Sequence, residues 1–464
     1  MTIARTISSL FALVVAMVLT RLLSEEVYGI YRKVWLIYGI SAPVFISSLV
    51  NTLYYQRSTD ALRNSSVVWG ALSLALGYGL LVGGMIALGS PWLADFVQAP
   101  IQEALRYFAL YAGLSVIAGT AEPIFVLAHR KKWLMAYNLG YNLFEALIIT
   151  GSFWMGYPLE QVVMIMAIGP AVRILVIFAG IVKYSFSWPG WSAIWREIPE
   201  SVRYGGGLML TAIVGIAVVD IDNWIISRAY QSNVIYAIYA IGARKLPFVS
   251  AFTNSVSSGL VMEYGPALKK GKFEQMMKAI RTQTDRVWLL LIPGMMVGWV
   301  FAEELLVFVF EKSTYAQSAP IFRIYLMLIL ANMVFPHSVL LGRGKSYVQA
   351  RFSMLELVGN LVFSVLLVQW IGFAGPAYAS LVGAFGYTGL QMWYCHRHYH
   401  IRWIRFFPSL KVVGKILLFV SIGWGFMYIK GPWFWLSFLG MSLFALVFML
   451  LSMKQHLQHH PSEG

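Results

Sequence analysis

The strongest constraint on this chain is a succession of apolar runs, each about 20 residues long, repeated from one end to the other. As a helix, a run of that length spans the hydrocarbon core of a bilayer, since each residue rises ~1.5 Å and the core is ~30 Å thick. Fourteen candidate spans are expected, near 4–22, 33–56, 67–89, 103–129, 133–155, 160–183, 203–226, 233–262, 286–308, 317–341, 349–370, 375–396, 410–429 and 432–453, with twelve or thirteen as alternatives. Composition agrees with this. Of 464 residues, 59% are hydrophobic and only 12% are charged, and the mean hydropathy is +0.69, whereas soluble domains run near a quarter charged. No soluble domain is left over. The expected fold class is all-α, a polytopic membrane protein of about 14 transmembrane helices in two pseudo-symmetric six-helix lobes plus a terminal helix pair.

Cys395 is the single cysteine, so neither an intrachain disulfide nor a multi-cysteine metal site is available. The first apolar run, 7–20, leads into Arg21 without a small-residue cleavage site and reads as a retained span that begins nearer Ala4. Lys and Arg collect in alternate connections: Arg57 and Arg63, then Arg130 to Lys132, then Lys183, Arg196 and Arg203, with further clusters at 269–281, 343–345 and 397–405. Short cytoplasmic loops gather such cations, so both termini are expected in the cytoplasm, and the formal net charge of +15 reads as orientation rather than nucleic-acid binding. The connection after the first span is the exception, with Arg21, Arg32 and Lys33 beside two glutamates. The segment 188–204 (WPGWSAIWREIPESVRY) suits an amphipathic piece at the cytoplasmic interface, and 269–286 is polar enough for a second.

Two pairs of segments suggest an internal repeat. RLLSEEVYGIY (Arg21, Tyr28, Tyr31) parallels RAYQSNVIYAIY (Arg228, Tyr236, Tyr239), and EPIFVLAHRKK (Pro123, Arg130, Lys132) parallels FPHSVLLGRGK (Pro336, Arg343, Lys345). The expected division is an N-terminal lobe at 1–187, an interfacial linker at 188–204, a C-terminal lobe at 205–397, and a terminal pair with a tail at 398–464. Repeats with an even number of spans share one orientation and place a cavity between two lobes.

Charges within the spans are the candidate chemistry, because a charge at bilayer depth costs at least ~2.5–3.5 kcal/mol and then faces a cavity or a partner. Arg173 follows Gly169-Pro170, a helix break, and Arg244 and Lys245 precede Pro247, a second one. Neighbours on a helix point about 100° apart, so Arg244 and Lys245 do not both face one side. These three cations suit a phosphate or carboxylate; their alternative role is in salt bridges with Glu145, Asp220 or Asp222. Asn138, Tyr141, Asn142 and Glu145 share one helix face, and Gln349, Ser353, Glu356, Asn360 and Ser364 form a similar stripe. Ser250, Asn254, Ser257 and Ser258 are a third polar group, for which substrate contact and helix packing are the alternatives. Asp220 and Asp222 are read either as a proton or sodium site or as a rim paired with Arg228. HRHYH at 396–400 has poor metal spacing. No Gly-rich phosphate loop with a following Lys, no HExxH and no GxSxG is present, so no enzyme activity and no metal or cofactor are expected.

The segment VLTRLLSEEVYGIYRKVWLI, with Arg21, Leu22, Glu26, Tyr28, Gly29 and Tyr31, resembles the signature after the first span in bacterial polysaccharide-repeat-unit flippases of the Wzx type, within the multidrug/oligosaccharidyl-lipid/polysaccharide exporter superfamily. DNWIISRAYQSNVIYAIYAIGARKLPF resembles the opening of that family's second half. The resemblance implies an O-antigen-type or lipopolysaccharide-pathway transporter in the bacterial inner membrane. It would flip an undecaprenyl-diphosphate-linked oligosaccharide to the periplasmic leaflet by alternating access, in association with other polysaccharide assembly proteins. On this reading Arg173, Arg244, Lys245, Asn142 and Asn254 contact diphosphate or sugar. Glu145, Asp220, Asp222 and Glu356 balance charge or carry H+ or Na+. A cation-coupled small-molecule exporter of the same superfamily is the alternative, and a polysaccharide polymerase or ligase a more distant one.

Overall fold

The computed structural model describes residues 2–56, 61–127, 131–183, 186–244, 246–269, 273–429 and 434–459. Among these residues every regular element is helical and no strand occurs. The chain forms two compact units, residues 3–240 and 241–464.

The first unit opens with α1 (Thr2–Leu22), α2 (Glu25–Ile40), α3 (Ala42–Tyr55), α4 (Ala61–Phe96), α5 (Gln102–Ala118) and α6 (Ala121–Leu127). It continues through α7 (Lys131–Trp154), α8 (Leu159–Met166), α9 (Ile168–Lys183), α10 (Trp191–Ala229) and most of α11 (Asn233–Gly242). The second unit holds α12 (Pro247–Lys269), α13 (Phe273–Val300), α14 (Ala302–Phe310), α15 (Ala319–Asn332), α16 (Pro336–Gly342), α17 (Ser346–Ile371), α18 (Gly375–Tyr399), α19 (Leu410–Ile429) and α20 (Phe434–His459). The described residues of each expected span fall on a helix or on two helices separated by a short break. Among the described residues, seven helical stretches are long and apolar enough to cross a membrane. The number rises to nine if two sharply bent pairs, α13 with α14 (79°) and α15 with α16 (43°), each count as one span.

The breaks follow from local chemistry. Proline lacks an amide hydrogen and disfavours helix in the residue before it, so Pro43, Pro247 and Pro336 all lie at the start of a new helix. The break expected at Gly169-Pro170 lies slightly earlier, at Ala167, because proline is tolerated in a first turn and Pro170 occupies that of α9. The second span starts earlier than 33. Ser24 caps α2 by accepting a hydrogen bond from the Val27 amide at 3.3 Å, and Glu25 and Glu26 complement the positive end of the helix dipole. Arg32 and Lys33 are thereby residues of a helix interior, and Lys33 is fully buried. This accounts for the exception in the loop-charge pattern.

Segment 191–204 is continuous with a span, running unbroken as the start of α10 with Pro199 inside it. Its inner face is fixed to α3, where Ser201 donates to Gln56 Oε1 (3.0 Å) and Ser48 donates to the Gly205 carbonyl (2.9 Å). At the other end Ser227 donates to the Val97 carbonyl at 3.1 Å. These bonds place α10 in the first compact unit.

Packing in the first unit depends on small residues. A Cβ on Gly79 of α4 would lie 2.6 Å from the Gly113 carbonyl oxygen of α5, and one on Gly113 would lie 2.8 Å from that of Gly79, so the two backbones touch. In the second unit the terminal helices share a core with α13 and α14. Met296, Val300 and Phe301 are buried with Phe419, Met441 and Ala445, so α19 and α20 are integral to that unit.

Candidate substrate site

Arg173 lies in the second turn of α9, beyond the break at Ala167. Its guanidinium sits 4.6 Å from the ring centre of Tyr141 and 5.5 Å from that of Tyr137, both on α7. One turn beyond Tyr141 on that face is Glu145, whose Oε1 accepts a 2.5 Å hydrogen bond from the hydroxyl of Tyr111 on α5. Tyr111 stacks on Phe108 (5.2 Å) and meets Trp35 and Tyr38 of α2 at 5.7 and 5.6 Å. A cation and an acid are thus set in an aromatic wall built from α2, α5, α7 and α9. They are electrostatic neighbours, yet no ion pair joins Arg173 to a carboxylate among the described residues, and its buried Nε has no hydrogen-bond partner. Ring faces attract the guanidinium without engaging its Nε–H. Asn142 is half-buried next to this face of α7 and has a partner of its own.

Asp220 and Asp222 diverge as their spacing requires. Asp222 is fully buried and accepts from Tyr239 at 3.0 Å, while Asp220 accepts from the Asn223 side chain at 3.5 Å and faces Gly39 of α2. Beside them stands Arg32, whose electrostatic neighbours are Tyr28, Tyr236 and Asp220 and whose Nε also lacks a partner. Lys33 donates to the Gln98 carbonyl at 3.3 Å and lies 5.5 Å from the Tyr236 ring centre. Sequence reading missed Arg32 and Lys33 as interior cations by placing them in a loop. The signal was the Ser24 cap, which carries a helix through both.

In the second unit, Arg244 is half-buried in the break between α11 and α12 and has a partner, while Lys245 lies outside the described residues. Asn254 is exposed on α12, whereas Ser257 on the same helix is buried, 2.7 Å from His337 Nε2 and 2.9 Å from Ser338 Oγ. His337 is a third residue missed from sequence, since a lone histidine after a proline carries no pattern. Glu356 is half-buried on α17 against Gly383 of α18, and Asn360 donates to Ser380 at 3.0 Å while accepting from Ser364 at 2.9 Å. That stripe therefore joins two helices, as small polar groups in membranes do. No group of three or more metal-ligating side chains occurs among the described residues, and the histidines at 396, 398 and 400 are exposed.

Long apolar helices, several of them broken, define a multi-pass membrane protein, and guanidinium groups are set among its tyrosines. The chain belongs to the family described as polysaccharide biosynthesis protein, whose sequence profile matches residues 18–320. No curated protein sequence matches it. Among solved structures, the lipid II flippase MurJ in an inward closed conformation superposes with a TM-score of 0.70 over 98% of each chain at 12% identity. A multidrug resistance MATE family transporter of the MOP superfamily, inward-facing, gives 0.66 at 12% identity over 85% of this chain and 94% of that one. The Vibrio cholerae MATE transporter VcmN in its bent form gives 0.51 at 16% identity over 88% and 97%. The chain shares its fold with these proteins, which are themselves described as flippases and transporters.

Proposed function

We propose that the protein flips an undecaprenyl-diphosphate-linked oligosaccharide from the cytoplasmic to the periplasmic leaflet of the bacterial inner membrane by alternating access, with both termini cytoplasmic. The observation that carries this reading is Arg173, a guanidinium within a span, placed against Tyr141 and Tyr137 with no ion pair among the described residues. A cation at that depth is costly unless it meets an anion, and a guanidinium fork matches the oxygens of a diphosphate two at a time. The tyrosine and tryptophan faces around it suit sugar rings. Arg32 is a second cation of the same unit without an ion pair among the described residues, and Arg244 and Lys245 are cations of the other. Glu145, held by one phenolic hydrogen bond, is the acid best placed to exchange a proton or a sodium ion for coupling, with Asp220, Asp222 and Glu356 as further acids.

The test is flipping of a fluorescent undecaprenyl-diphosphate sugar in proteoliposomes, read by accessibility to an external quencher. R173Q is expected to slow flipping more than tenfold, and R173K is expected to restore less than half of the rate because an ammonium lacks the fork. Unchanged flipping in R173Q overturns the assignment. Export of a cationic dye that needs Glu145 but not Arg173 would instead favour a drug exporter.

A further inference from the structure

Arg173, Val176, Gly180 and Lys183 follow one another along α9 at intervals of three or four residues, which keeps them on one side of the helix. That side borders a cavity of about 380 Å³, walled by Phe125 of α6, Ala136 and Tyr137 of α7, and Val176, Gly180 and Lys183 of α9. Small side chains create the space. Among the described residues, its walls carry the Tyr137 hydroxyl and the Lys183 ammonium. Tyr137 is shared, since its ring closes one end of the cavity and is also one of the two faces beside Arg173. Lys183, the last residue of α9, is exposed, while Phe125 is buried. At ~1.5 Å per residue the two cations stand roughly 15 Å apart along α9, with the apolar groove between them.

We infer that this groove is a waiting site for a prenyl diphosphate, with the diphosphate on Lys183 and the first isoprene units against Phe125 and Val176, before the headgroup passes Tyr137 to Arg173. The inference rests on the reading of the chain as a transporter of a lipid diphosphate. Charge complementarity favours this occupant. An apolar groove with a cation at each end fits an anionic amphiphile. A resident phospholipid would need only the outer cation. The second cation, on the same helix face, fits a ligand that travels.

The full-length protein in phosphatidylcholine nanodiscs is irradiated with a farnesyl diphosphate analogue carrying a diazirine on its terminal isoprene, and the labelled peptides are mapped. Label is expected on α7 near Ala136 and on α9 near Val176. A179F, which fills the groove from an exposed position lining it, and K183Q are each expected to cut that label at least fivefold. Equimolar phosphatidylglycerol is expected to change it less than twofold. Label elsewhere, label insensitive to both substitutions, or displacement by phosphatidylglycerol overturns the inference. If R173Q abolishes flipping while A179F and K183Q flip and label like wild type, the groove falls and the transport reading stands. If the wild-type protein flips no undecaprenyl-diphosphate sugar while A179F loses the label, the transport reading falls and the groove remains a binding site.

Discussion

At the scale of single residues, the site depends on which groups satisfy which. Glu145 is held by the hydroxyl of Tyr111, so Tyr111→Phe removes its donor and leaves a carboxylate unsatisfied in an aromatic wall. Such a loss costs about 1–3 kcal/mol. The Tyr111→Phe protein is expected to melt at a lower temperature in detergent than wild type, and Glu145→Gln, whose amide oxygen still accepts, is expected to lose less. Equal losses in the two variants would show that the hydrogen bond is not what holds the wall together. Steric fit is as sharp. A Cβ on Gly29 would lie 2.0 Å from the Asn233 carbonyl oxygen, whereas one on Gly84 meets nothing within 4 Å. Gly29→Ala is therefore expected to abolish well-folded protein in size-exclusion chromatography. Gly84→Ala, which removes a poor helix former, is expected to be neutral or stabilising by up to about 1 kcal/mol.

At the scale of elements, the internal repeat is carried by helix starts. Ser24 accepts from Val27 N and Ser232 from Ile235 N, both at 3.3 Å, and each cap precedes a pair of buried tyrosines, Tyr28 and Tyr31 in one case and Tyr236 and Tyr239 in the other. Replacing either serine by alanine is expected to cost ~0.5–2 kcal/mol, measured as a fall in unfolding midpoint, with Ser24→Ala and Ser232→Ala of similar size. A loss confined to one of them would separate the two copies energetically. The prolines that break the spans were legible in the sequence, because proline acts through its nearest neighbours in the chain. The extent of α2 was not read correctly. Arg32 and Lys33 look like loop cations until the tyrosines of α11 and the carbonyl of Gln98 surround them, and those contacts are remote in sequence.

At the scale of the whole molecule, the lone cysteine offers a reporter. Cys395 is fully buried in the core of the second unit, against the Pro336 carbonyl. Its reaction with a fluorogenic maleimide is expected to be negligible in the folded protein and to rise at the unfolding temperature of that unit. Phe419→Ala, which opens a cavity where α19 meets α13, is expected to cost about 3–5 kcal/mol and to bring that rise to a lower temperature. Rapid labelling of the native protein would contradict the packing described around Cys395.

What the sequence determined by itself is the material of the fold. Run lengths match a bilayer, continuous hydrophobicity makes the spans helical, and proline marks where helices break; all of these are local or periodic properties. Arg173 and Glu145 stood out in sequence for the same reason, as charges within apolar runs. Only the tertiary structure decided what they meet. Glu145 is taken by a tyrosine from α5, Arg173 is placed on tyrosines from α7, and no salt bridge joins the two. That outcome depends on the angles at which several broken helices pack, and packing angles are set by close contacts such as Gly79 on Gly113, between residues that no local pattern connects.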